Sequence, residues 1–406
     1  MYPLRAFAPV IHTRDIKTLP HKRGATRHSR EIELLLLGAR RYVDNETRAH
    51  IARLTEPSLD WSWLLAQAQR HGVTSLLYFN LRSVTTAAPD SAMDALATMF
   101  RTCAKHNLYL LGQLLTILDE FERRQIAVVP FKGPMLAVTA FADVSLREFG
   151  DLDLLIHECD IGRAHGALVE LGFRSAHHPD WVQPYLAFGH ELDFISSDGG
   201  FQVDLQWRFA KKWLSFPLDH EALWNRTTSV SVGGRSVRQL CPEDAMLMLC
   251  GHAYRHRWSC LKWISDVAAF MHAFEARLDW TRLVHEARNS GGMRVLGLGV
   301  WLAHAVGGAQ VPPGVLVTVL NDRHTVALGR QVLTNLFAAQ SAIGAHGSGG
   351  RLAQAAFQWR ARERMQEKLP RLTPLIAHGQ YVVHRLARHY AGPLFALCDR
   401  QVSRIV

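Results

Sequence analysis

The residues best suited to chemistry are Asp151 and Asp153, two carboxylates at the head of the apolar run Asp151-Leu152-Asp153-Leu154-Leu155-Ile156. A β-strand turns successive side chains to opposite faces and rises about 3.3 Å per residue. Both acids therefore share one face with α-carbons about 7 Å apart, while Leu152, Leu154 and Ile156 point the other way. Carboxylates so placed hold a pair of divalent cations about 4 Å apart, the arrangement behind many phosphoryl and nucleotidyl transfers. Just upstream, Phe131-Lys132-Gly133 offers a cation and a glycine turn that a phosphate can approach closely. His252 and His256, four apart, share a helix face, but no Glu follows His252, so the H-E-x-x-H zinc motif is absent. With Arg255, Arg257 and Trp258 alongside, they read as a packed or nucleotide-facing surface.

The elements that must position these residues follow from periodicity. Residues 31–124 read as helical: Glu31 to Tyr42, Trp61 to Gln69, and an amphipathic stripe from Leu108 to Phe121 ending near Arg124. The character changes at Gln125. Ile126 to Phe131 is short, apolar and β-branched, a buried strand whose Pro130 marks an end or an edge. Gly133-Pro134 opens a helix, with proline where a missing N–H costs little. After Asp151–Ile156 comes a helix from Asp160 to Leu171, closed by Gly172. Leu192–Ser196 and Phe201–Phe209 flank Ser197-Asp198-Gly199-Gly200, a hairpin signal. In its second arm Phe201, Val203, Leu205 and Trp207 alternate with Gln202, Asp204, Gln206 and Arg208, which puts Asp204 on the polar face. A second hairpin turns at Gly233-Gly234. From Pro242 the pattern returns to helix, over 262–276, 280–289, 293–306 and much of 315–405, with a glycine-rich loop at Gly344–Gly350.

Size and charge bound the answer. A chain of 406 residues with 48 % hydrophobic and 20 % charged residues forms more than one structural unit with sizeable cores. The net charge of +10 suits an anionic ligand. Much of it comes from a basic N-terminal segment that reads as a solvated tail and says nothing about nucleic acid. No secretory h-region opens the chain, and the run Val295–Val311 contains His304 and two glycines, so it reads as a buried helix rather than a span. The six cysteines are scattered without a C-x-x-C pair, as expected of reduced, buried residues in a cytoplasmic protein. The expected organisation is a disordered tail over 1–30, a helical segment over 31–124, an α/β core over 125–240 and a helical domain over 241–406.

Taken in order, these pieces resemble a known family. Ala68-x-x-His71-Gly72-Val73, Lys132-Gly133, Arg147-x-x-Gly150-Asp151-x-Asp153, Val203-Asp204-Leu205-x-Trp207, Pro242-Glu243-Asp244 and His252-x-x-x-His256-Arg257-Trp258 look like the uncharacterised nucleotidyltransferase family of the DNA polymerase β superfamily. The resemblance implies an α+β fold, a minimal nucleotidyltransferase mixed sheet flanked by N- and C-terminal helical segments. It implies transfer of a nucleoside monophosphate from an NTP to an acceptor, with Mg²⁺ (or Mn²⁺) held by Asp151, Asp153 and a third carboxylate, Asp204, on an adjacent strand. Lys132 and Gly133 match the phosphate turn, where relatives carry Gly-Ser. Pro134 departs from the expected hydroxyl residue, and Gln206 stands where histidine is expected, away from the metal cage. Arg147 is either a phosphate clamp or half of a structural salt bridge. The acceptor stays open among a protein, a sugar, a small molecule and an RNA end.

Two rivals remain at this stage. A D-x-D glycosyltransferase places its apolar strand before the acids, whereas Leu154-Leu155-Ile156 follow them here. A nucleotide-binding scaffold without turnover is opposed by the survival of all three acids.

Overall fold

The computed structural model describes residues 28–84, 87–176, 189–208, 220–337, 356–357 and 359–360. The tail before His28, His177-His178, the Gly344–Gly350 loop, Cys398 and the helical reading beyond 360 lie outside the described residues. Four helices come first: α1 (Ser29–Gly38), α2 (Asn45–Leu54), α3 (Trp61–Arg70) and α4 (Thr74–Arg82). The first therefore begins two residues before the expected boundary and ends before Tyr42. Next is α5 (Asp90–Arg123), a 34-residue helix far longer than its apolar stripe suggested. Pro89 opens it, and no proline interrupts it before Arg124.

The central region contributes β1 (Val128–Phe131), α6 (Gly133–Thr139), β2 (Asp151–Ile156), α7 (Ile161–Glu170), β3 (Arg174–Ser175), β4 (Glu191–Ile195) and β5 (Gln202–Gln206). A short helix α8 (His220–Asn225) leads to the hairpin β6 (Thr228–Val232) and β7 (Arg235–Gln239). Gly233 and Gly234 both take positive φ at its turn, 59° and 81°, as a tight two-residue hairpin requires. The chain continues with α9 (Pro242–Arg255), α10 (Leu261–Ala273), α11 (Trp280–Ser290), α12 (Met293–Ala305), α13 (Pro313–Asn321) and α14 (Arg323–Leu336).

The fold is α+β with a mixed five-stranded sheet in the order β1-β2-β5-β4-β3. Strand β2 runs parallel to β5, and the remaining pairs are antiparallel. Pro130 sits on edge strand β1, where no second neighbour needs its missing N–H. One sheet face packs Leu152, Leu154, Ile156, Leu192, Phe194, Val203 and Leu205 against Leu114 and Phe121 of α5 and Leu168 of α7. Leu155, Val129 and Phe131 face the other way and join a second core with the N- and C-terminal helices.

That second core unites helices far apart in sequence. Ser265 Oγ donates to Ala39 O at 2.7 Å, and Arg40 Nε to Val306 O at 2.8 Å. His71, fully buried after α3, fixes the start of α10: its Nδ1 faces the Leu261 N–H at 3.2 Å, and its carbonyl accepts from Lys262 N. Its Nε2 faces the Arg70 guanidinium at 2.8 Å. Burial and that cation push the imidazole pKa down to about 3. The folded value lies below the unfolded one, so this contribution is complete above pH 6.5 and is lost as pH falls toward 3. Between pH 6.5 and 5 the loss is about 2 kcal/mol. Urea unfolding of His71→Gln is expected to show a flatter stability–pH slope in this window; an unchanged slope would remove His71 as its cause.

Cysteine usage departs from expectation in one respect. The described cysteines are free, and Cys241 and Cys250 are buried, but Cys159 is exposed beside the first turn of α7. No described helix is long and apolar enough to cross a membrane.

Candidate active site

Sheet register brings the acids together. Parallel pairing of β2 with β5 sets Asp153 directly opposite Asp204 and Asp151 opposite Gln202. Paired residues on neighbouring strands point to the same side, with β-carbons about 5 Å apart. On the far side of β5, antiparallel β4 sets Asp193 against Asp204 and Glu191 against Gln206. Five carboxylates thus share one face: Asp151, Asp153, Asp204, Asp193 and Glu191. In the sequence Asp193 reads as a strand residue with a weaker claim than the other acids, and Glu191 carries no reading. Their alternation with buried Leu192 and Phe194 is the signal that finds them.

Crowding has an electrostatic consequence. Partial burial and the negative charges of Asp153, Asp151, Asp193 and Glu191 push the Asp204 carboxyl up to about 8. Burial likewise raises Asp153, opposed by the Lys132 ammonium. Glu191 is raised by burial and by Asp193, against the pull of Arg255. A face that charges itself this reluctantly is one a cation relieves.

Two of these acids, Asp153 and Asp204, take protein partners. Lys132 Nζ lies 2.6 Å from Asp153 Oδ1, an ion pair with both side chains nearly sealed from solvent. Gln206 Nε2 donates to the same oxygen at 3.0 Å, and Gln202 Nε2 donates to Asp204 Oδ1 at 3.0 Å. The Gln206 contact corrects the expectation that this residue stands clear of the acids. It pairs with Leu155, two residues beyond Asp153 on the same face, and its long amide reaches back along that face. Among the described residues, no group of three or more His, Cys, Asp or Glu is arranged to hold a metal ion with these side-chain positions. The donors of this face are hard carboxylate oxygens of the kind Mg²⁺ takes.

The turn before α6 is strained for this purpose. Lys132 adopts φ +53° with ψ −141°, a region outside the left-handed helical well that glycine favours and that costs another residue about 1–3 kcal/mol. It follows directly from β1, where Phe131 pairs with Asp153, and so the lysine is delivered beside that acid. Gly133 has φ +36°, and a β-carbon there would come within 3.2 Å of Asp151 O. Glycine is therefore required where the turn crosses the head of β2.

Arg147, read as a clamp or a salt bridge, makes the salt bridge. Its Nε and Nη2 donate to Asp266 Oδ1 and Oδ2 at 2.7 and 2.9 Å, with both side chains buried. Nη1 reaches Gly133 O at 3.4 Å, so the guanidinium ties the Lys132-Gly133 turn to α10. The partner, Asp266, lies 119 residues away in sequence, in the Leu261-Lys262-Trp263-x-x-Asp266-Val267 block that resembles the family, where the sequence assigns it no role. His252 Nδ1 lies 3.4 Å from Lys132 Nζ, which brings the last turn of α9 to the site.

Residues 57–308, more than half of the chain, match the family described as uncharacterised nucleotidyltransferase. The chain belongs to that family. The matched span includes every residue of the acidic face, the Lys132-Gly133 turn and Asp266, and family membership supports nucleotidyl transfer as the general activity. No curated protein matches the chain. Among solved structures, the solution structure of the antibiotic-resistance factor ANT(2'')-Ia is similar at 15 % identity, with a TM-score of 0.33, over 49 % of this chain and 99 % of that one.

Proposed function

We propose that this nucleotidyltransferase family member is a Mg²⁺-dependent enzyme that moves a nucleoside monophosphate from an NTP to a hydroxyl acceptor. A bond forms between the acceptor oxygen and the α-phosphorus, the bond from that phosphorus to the bridging oxygen breaks, and pyrophosphate leaves. The observation that carries this reading is the register of Asp153 against Asp204, with Asp151 two residues earlier on the same face. Asp151, Asp153 and Asp204 would hold the metal, which when bound neutralises phosphate charge and lowers the pKa of a coordinated hydroxyl.

The chain's own residues do the rest. Lys132 exchanges its carboxylate partner for phosphate oxygens when the nucleotide enters. Gly133 lets those oxygens approach the backbone, and Arg147 keeps the turn fixed from behind. Gln206 Nε2 holds one Asp153 oxygen in place. Mn²⁺ can substitute, since it also favours oxygen ligands.

Lys132→Met is expected to weaken Mg²⁺–NTP binding by about 10- to 100-fold, the worth of a charge-assisted contact. Binding of Mg²⁺ without nucleotide should hold or strengthen, because the competing ammonium is gone. Titration calorimetry reads both, and weaker Mg²⁺ binding in the variant would contradict the exchange. The acceptor is sought directly: labelled NTPs are incubated with cell extract, and mass analysis identifies what gains a nucleotide while released pyrophosphate is assayed. Tight Mg²⁺–NTP binding with neither product would favour a nucleotide-binding scaffold.

A further inference from the structure

The turn between α9 and α10 is built at a cost that the acidic face does not explain. Arg257 and Trp258 are consecutive non-glycine residues with φ +56° and +54°. Left-handed pairs of this sort persist only where the surrounding structure enforces them, and they gather at ligand sites. Trp258 is fully buried and locks the reversal. The outcome is a row of rings: His256, capping α9, stacks on Trp263 in the first turn of α10, with centroids 5.0 Å apart and planes at 29°. His252 adjoins both, 4.8 Å from His256 and 6.0 Å from Trp263.

This row is open to solvent and adjoins the site. His256 is exposed, and His252 and Trp263 are half-buried. From the acidic face the contacts run Asp153 to Lys132 at 2.6 Å, then Lys132 to His252 Nδ1 at 3.4 Å, then ring to ring. Partial burial, then Arg255, Lys132 and Lys262, push the His256 imidazole down to about 4 against the pull of Asp151. Burial and the same cations lower His252 well below its ordinary value. Both rings are therefore neutral at pH 7: flat, apolar-faced surfaces ringed by cations.

We propose that the His252–His256–Trp263 row is the nucleobase subsite, on which the base of the NTP stacks while its triphosphate meets Lys132 and Gly133. This rests on the nucleotidyl-transfer reading and extends it. A flat aromatic ligand tethered to an anion fits neutral rings beside cations, and a stacking surface offers no base-specific donors or acceptors. The subsite therefore accepts purines and pyrimidines alike, purines more tightly for their larger face.

The test compares Mg²⁺–ATP, Mg²⁺–CTP and Mg²⁺–tripolyphosphate on the full chain by titration calorimetry. His256 is exposed, so His256→Ala should fold normally. It is expected to weaken both nucleotides about tenfold, the scale of one base–aromatic stack, and to leave tripolyphosphate unchanged. His256→Phe, which keeps the flat ring, should bind nucleotides as the wild type does. Unchanged nucleotide affinity in His256→Ala, or an equal loss for tripolyphosphate, overturns the subsite while leaving nucleotidyl transfer standing. A wild-type chain that binds no nucleotide overturns both.

Discussion

An Asp204→Asn variant is expected to lose metal-dependent transfer and, in metal-free buffer, to melt at a higher temperature than the wild type. The two effects share one cause. Asp204 faces Asp153 across a strand pair and Asp193 on the other side, and this crowding pushes its carboxyl up to about 8. Above the unfolded carboxylate range, folding must either protonate Asp204 or hold its charge against its neighbours. The contribution is therefore absent as a cost at low pH and grows as pH rises from about 4 toward 8. Asparagine removes the repulsion and keeps the shape, and each kcal/mol relieved should raise Tm by about 1 °C in a chain of 406 residues. Removing a proposed metal ligand is expected to cost several kcal/mol at the transition state, about a thousandfold or more in rate. Thermal melts at pH 8 with and without Mg²⁺, beside pyrophosphate release, check both halves. Mg²⁺ should stabilise the wild type more than the variant. A variant that melts lower in metal-free buffer would show that Asp204 supports the fold instead of burdening it.

The second large effect concerns Arg147 and Asp266. Their bidentate pair is buried, and removing one partner strands a charge that the interior cannot solvate. Asp266→Asn or Arg147→Met should therefore lose about 3–5 kcal/mol of stability. The double variant Arg147→Met/Asp266→Leu should recover most of that loss, since a well-packed apolar pair often replaces a buried ion pair at little cost. It should still bind Mg²⁺–NTP poorly, because nothing then fixes the Lys132-Gly133 turn to α10. Denaturant unfolding and titration calorimetry on the three variants separate this from direct phosphate binding by Arg147. In that alternative Asp266→Asn keeps its stability and Arg147→Met alone loses nucleotide affinity.

Much of the local structure was legible because it is written in short-range signals. The period-2 alternation from Phe201 to Trp207 gave β5 and the face of Asp204. Glycines at 233 and 234 marked a hairpin turn, and Pro134 marked the start of α6. The length of α5 was hidden, since its first half buries few residues and lacks the continuous apolar stripe that a sequence reading follows. Glu191 was hidden because one acid in a half-buried strand resembles any other until its neighbour strand is known. Gln206 was judged clear of the acids because no sequence pattern states how far a side chain reaches along a sheet.

By itself, the sequence determined which chemistry is available: Asp151 and Asp153 on one strand face, Asp204 on another polar face, and a lysine-glycine turn before a helix. Alternation along a strand is a property of the backbone and needs no partner. Tertiary structure alone decided that β2 and β5 lie side by side and parallel with Asp153 opposite Asp204. It also decided that Lys132 pairs with Asp153, that Arg147 belongs to Asp266, and that His252 lies beside both Lys132 and His256. Those are matters of strand order and helix docking between segments up to 120 residues apart. They are set by how two hydrophobic cores close on opposite faces of one sheet, which no local spacing encodes.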